Sequence, residues 1–150
     1  MNKAVVVKNI ATIGLLFLLA FLIATPAARA DESDQATRVT FSQPVQVPGR
    51  VLPAGTYVFE LPSDVTQHYL VRIFNADHTA LYATIFTISA ERQQATGDTA
   101  FTFAERGSAQ PEAIVTWFYP GDTTGHQFLY PKQVEKELAS AKLITIAAGK

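Results

Sequence analysis

The stretch richest in side chains able to do chemistry is "WFYPGDTTGHQFLYPK", residues 117–132. It sets Asp122 four residues before His126, among five aromatic residues and two glycines. A carboxylate that orients an imidazole makes a general base or part of a metal site. A neighbouring Trp or Tyr offers an apolar ring with a polar handle, which suits stacking on a sugar. Trp117, Tyr119, Asp122 and His126 are therefore the candidate ligand-binding residues. The same composition also builds a tightly turned hairpin whose rings fill a core, because cross-strand aromatic pairs stabilise such a ladder by roughly 0.2–1 kcal/mol each. Two potential ligands fall one short of a catalytic zinc site. The hairpin reading is preferred, with the glycines expected to supply positive φ.

Outside this stretch, reactive patterns are missing. His68, His78 and His126 are dispersed without H-E-x-x-H spacing, so a metal site from all three with Asp77 is a minor alternative. There is no G-x-S-x-G and no cysteine, hence no thiolate nucleophile and no thiolate zinc. The eight glycines form neither G-x-G-x-x-G nor a P-loop. Glu135 and Glu137, two apart on a helix, do not face each other. The sequence therefore points away from an enzyme and names no catalytic residue, metal or cofactor.

The elements that would position these residues read as strands. Val39, Phe41, Val45 and Val47 share one parity, with Pro44 breaking the run. Pro48-Gly49 and Pro53-Ala54-Gly55 are turns around Val51-Leu52, followed by a strand over 56–61. Residues 68–74 and 79–89 form a hairpin pair joined by Asn75-Ala76-Asp77-His78. The second of these is apolar on both sides, as in a central strand with one face on the core and the other covered. Further strands are expected over 99–104, 113–119 and 126–130. Lys132 to Lys142 has helical composition, with Val134, Leu138 and Ala141 on one face, and 143–147 forms a last strand or docks. The fold class is all-β: an antiparallel β-sandwich, immunoglobulin-like or jelly-roll-like, of about eight short strands with one C-terminal helix.

The N-terminus reads as an address. Lys3 and Lys8 precede an apolar run from Ile10 to Ala24, and Ala28-Arg29-Ala30 is an A-x-A cleavage site. Fifteen residues at 1.5 Å each reach about 22 Å, short of a hydrocarbon core of roughly 30 Å. Residues 1–30 are thus a signal peptide rather than a stable membrane anchor, and 31–150 form a single domain with a loose tail over 31–37. Loss of Lys3, Lys8 and Arg29 leaves nine basic against thirteen acidic residues. That charge offers no footprint for nucleic acid or anionic lipid.

The segments "VLPAGTYVFELP" (51–62), "VRIFNADHTALYATIFTI" (71–88) and "WFYPGDTTGHQFLYPK" in this order resemble a group of small exported proteins of unknown function from soil bacteria, notably acidobacteria. The resemblance spans about Phe41 to Ala139 and implies export and a β-rich fold; it implies no activity, cofactor or catalytic residue. The expected function is that of an exported, non-catalytic binding or interaction module of the cell envelope, periplasmic or secreted, whose partner is an envelope protein or polysaccharide. The alternatives are a carbohydrate-binding protein using the aromatic platform and, less favoured, a metal-dependent hydrolase using Asp122, His126 and a second histidine.

Overall fold

The computed structural model describes residues 35–62 and 69–148, so the expectations for 1–30, for the start of the tail and for His68 lie outside the described residues. The described chain is mostly β, with ten strands in one continuous sheet and one short helix. The strands are β1 (Ala36–Phe41), β2 (Val45–Val47), β3 (Arg50–Leu52), β4 (Gly55–Glu60), β5 (Leu70–Asn75), β6 (Leu81–Glu91), β7 (Thr99–Ala104), β8 (Glu112–Phe118), β9 (Thr124–Phe128) and β10 (Leu143–Ala148). The helix α1 (Lys132–Ala139) lies between β9 and β10. Ten strands replace the expected eight for local reasons. The break around Pro44 separates β1 from β2, and the Pro48-Gly49 turn, with Gly49 at φ 76°, folds β2 back onto β3. Ala36 and Thr37, expected in the tail, already pair with Glu60 and Phe59.

The path through the sheet runs β1-β4-β5-β6-β9-β8-β2-β3, with β7 on β8 and β10 on β7. β6 is the hinge of this arrangement. Its residues 81–86 pair with β5, and its residues 87–91 pair with β9. Every pairing is antiparallel except one, which corrects the all-antiparallel expectation: β2 runs parallel to β8 over Val45–Glu112 and Gln46–Ala113. The Tyr130 hydroxyl reinforces that short pairing, lying 3.0 Å from the carbonyl of Gln46 and 2.8 Å from that of Ile114.

Rings fill the core. Phe59 on β4 lies 5.2 Å from Phe101 on β7 and 5.9 Å from Trp117 on β8. Phe41 on β1 meets Phe101 and Phe103 edge-on. These strands are not hydrogen-bonded neighbours, so the contacts cross the interior between two halves of the sheet. Such edge-on pairs put the positive ring edge on the negative face of a neighbour.

Two β-bulges reset the alternation. Between Thr102↔Thr116 and Phe103↔Ile114, β8 carries Val115 as an extra residue. Ile114 and Trp117 therefore both point inward, opposite Phe103 and Phe101, although simple alternation places them on opposite faces. On β6, Tyr82 is the extra residue between Phe74↔Leu81 and Ile73↔Ala83. The bulge sends Leu81 to the outer face with Thr84, Phe86 and Ile88, and lets the Tyr82 ring meet Tyr57.

The helix keeps the expected contact face: Leu138 is buried, and Val134 and Ala141 pack on the core. It ends at Ala139 rather than Lys142 because Ser140 turns back, its hydroxyl donating to the carbonyl of Glu137 at 3.0 Å. Outside, Arg106 grips the Glu137 carboxylate with two N–H bonds and holds it below the usual carboxylate range.

Candidate functional site at the turn between β8 and β9

The turn after β8 is built from Pro120 and Gly121. The Asp122 N–H donates to the carbonyl of Tyr119 at 3.2 Å, and Gly121 takes φ 84°. Proline followed by a glycine of positive φ is the signature of a type II turn. Gly125 does a different job from the one expected of it. Its φ is not positive; a side chain there would meet the Phe118 ring at 2.4 Å and the Trp117 carbonyl at 2.6 Å.

Arg92 fixes this turn. Its Nε donates to the carbonyl of Asp122 at 2.8 Å, its Nη2 to that of Tyr119 at 3.3 Å and its backbone N–H to that of Thr123 at 2.9 Å. The guanidinium also lies 4.7 Å from the centre of the Phe118 ring. Sequence reasoning missed Arg92, placing it in a polar loop. The carbonyls it serves are some thirty residues away, and no local pattern announces them.

The four candidate residues separate. Trp117 is fully buried, stacked on Phe101 at 6.2 Å and 13°, with its indole N–H donated to the Thr99 hydroxyl at 2.9 Å. No face of the indole is left for a sugar, which takes Trp117 out of the platform. Tyr119 packs against the core and contributes its carbonyl to the turn. Asp122 and His126 do meet, on one cleft of about 490 Å³ that also takes in Gln35, Tyr69 and Ser89. Within it the two side chains serve different partners. The Asp122 carboxylate accepts from the Gln35 amide at 3.3 Å. The His126 Nδ1 lies 3.2 Å from the Thr87 hydroxyl, which is itself 3.1 Å from the carbonyl of Tyr69. The imidazole lies 5.7 Å from the buried indole.

The exposed ring of this cleft is Tyr69, 60% accessible, which lies outside the stretch singled out in the sequence. His78 does not reach this cleft. His78 stands before the start of β6, on the Phe74 ring and paired with Glu60, whereas His126 pairs with Ser89 near the strand's other end. Eight residues of strand separate those ends by about 26 Å. Among the described residues no three His, Asp or Glu side chains are grouped to hold a metal ion. A second hollow of about 730 Å³, along β1 and β7, has Glu112 as its one ionisable lining residue among the described residues.

Comparison with protein-family models, curated proteins and solved structures finds no match to this chain.

Proposed function

We propose that the protein is an exported, non-catalytic β-sandwich, periplasmic or secreted, that docks on another component of the cell envelope through the outer face of β5 and β6. One observation carries this reading. β6 is apolar on both faces, the pattern of a strand covered on both, yet among the described residues its outer face is bare. Phe86 is 70% accessible there, with Leu81, Ile88 and the adjoining Leu129 also exposed. Leu70 lies directly across from Phe86. Contiguous exposed apolar side chains on a small protein mark an interaction surface, whereas scattered ones do not. Ring contacts between the β1–β4 and β7–β8 halves favour the sandwich, and the leader-like first thirty residues favour export.

The test is photo-crosslinking in the native envelope from an unnatural residue at position 86, with position 94 in the exposed β6–β7 loop as control. An adduct at 86 but not at 94 is expected. Phe86→Ser should abolish co-purification of that partner while changing stability by no more than about 0.5 kcal/mol. Equal adducts at both positions, or none at 86, would overturn the reading.

A further inference from the structure

The cleft beside the β8–β9 turn is separate from the proposed docking face, and its chemistry is unlike that of a protein interface. We infer that it is a binding site for a neutral saccharide. The exposed Tyr69 ring offers an apolar surface of the size of a pyranose C–H face, with a hydroxyl at its edge. Around it stand the groups that read sugar hydroxyls. Asp122 presents a carboxylate whose two oxygens can accept from vicinal O–H groups. Gln35 has two amide N–H groups and an oxygen, of which the bond to Asp122 uses one N–H. Ser89, Thr123 and Thr124 add hydroxyls that donate or accept.

Charge sets the ligand class. Among the described residues Asp122 is the one carboxylate on the lining, His126 is its one imidazole, and no lysine or arginine lies on it. Arg92 is close but is committed to the carbonyls of Tyr119 and Asp122 and to the Thr96 hydroxyl. A phosphate, nucleotide or uronate would meet the Asp122 carboxylate with only the His126 imidazole to offset it, so a neutral, hydroxyl-rich molecule fits best. The volume falls within the roughly 300–1,000 Å³ of small-molecule clefts, so at least one sugar ring has room. The turn is also held in place before binding by the Arg92 and Thr96 bonds, which limits the ordering cost.

Calorimetric titration of the purified protein with maltotriose, cellotriose and chitotriose, and with trigalacturonate as the anionic counterpart, tests this. At least one neutral trisaccharide should bind with a Kd of about 1 mM or tighter, and trigalacturonate about tenfold or more weakly. Tyr69→Ala and Asp122→Asn should each weaken that binding by about tenfold or more, whereas Tyr69→Phe keeps the ring and retains it. Tyr69 is exposed, so its variants should melt as the parent does. No binding of any neutral trisaccharide up to about 10 mM, equal binding of the anionic one, or full affinity in Tyr69→Ala would each overturn the inference. Phe86→Ser should leave the titration unchanged, so this site and the docking face stand or fall separately.

Discussion

A buried indole must place its N–H, and Trp117 places it on a strand other than its own. The acceptor is the Thr99 hydroxyl at 2.9 Å, which passes its own hydrogen to the carbonyl of Phe118 at 3.0 Å. Thr99 is thus donor and acceptor at once, a role that valine fits in shape and fails in chemistry. Thr99→Val should destabilise the fold by about 1–3 kcal/mol by leaving the indole N–H unpaired, and Thr99→Ser should retain most of the stability. Urea unfolding followed by the emission of this single tryptophan measures both. At this scale the sequence showed that aromatic rings would fill the interior, since the preferred reading placed them in the core. It could not show which partner each polar edge would take. Thr99 lies 18 residues before Trp117 and Arg92 lies 30 before Asp122, so both pairings exist only once the strands are in register.

Between residues and fold lie the strands, and here alternation was a good guide until a bulge intervened. The spans over 99–104, 70–75 and 81–91 follow runs of β-branched and aromatic residues bounded by turn formers. Asn75 closes its turn as its side chain suggested, accepting from the N–H groups of Thr79 and Ala80, although the positive φ falls on His78 rather than on Asn75 or Asp77. Simple alternation misplaces Ile114, Trp117 and Leu81 because one extra residue in a strand reverses everything beyond it. A bulge leaves no compositional mark, so those reversals were invisible to periodicity. Half of the candidate site was legible for the same reason. Asp122 in the turn and His126 on β9 reach one cleft, whereas Trp117 was turned into the core. The β8–β9 hairpin itself depends on Gly125, across which Phe118 lies too close for any side chain. Gly125→Ala should cost about 1–3 kcal/mol as the ring or the backbone is displaced. Ala in place of Gly121 instead strains a φ of 84°. Thermal melts of the Gly125→Ala variant provide the check, and an unchanged midpoint would mean that the Phe118 ring moves aside freely.

For the molecule as a whole, the absence of cysteine leaves packing and hydrogen bonds to hold ten strands together, and the polar part of that account is complete: no buried side-chain N or O among the described residues lacks a partner. Two tyrosines contribute to it in a way that makes stability depend on alkaline pH. Burial raises the Tyr130 hydroxyl well above the ordinary tyrosine value, with Arg106 opposing the shift to a lesser degree. Burial, and to a lesser degree Tyr82, raises Tyr57, whose hydroxyl donates to the carbonyl of Pro53 at 2.8 Å. Both groups must stay protonated in the fold, because a phenolate can donate no hydrogen bond. The unfolded chain meets no such constraint and ionises near pH 10. Their stabilisation is therefore fully present below about pH 10 and is lost above it, as the unfolded state releases protons that the folded state retains. Each such group tilts the unfolding free energy by at most about 1.4 kcal/mol per pH unit. Tyr130 is the dominant one, since its hydroxyl lies within reach of carbonyls on β2 and β8, where those strands share only two register pairs. Urea midpoints measured from pH 7 to 11 should fall steeply past 10 in the parent protein. Tyr130→Phe should begin about 1–3 kcal/mol lower at neutral pH and fall less steeply beyond 10. Parallel curves for the two proteins would show that the seam between β2 and β8 opens before the tyrosine ionises, and would place the alkaline weak point elsewhere in the sheet.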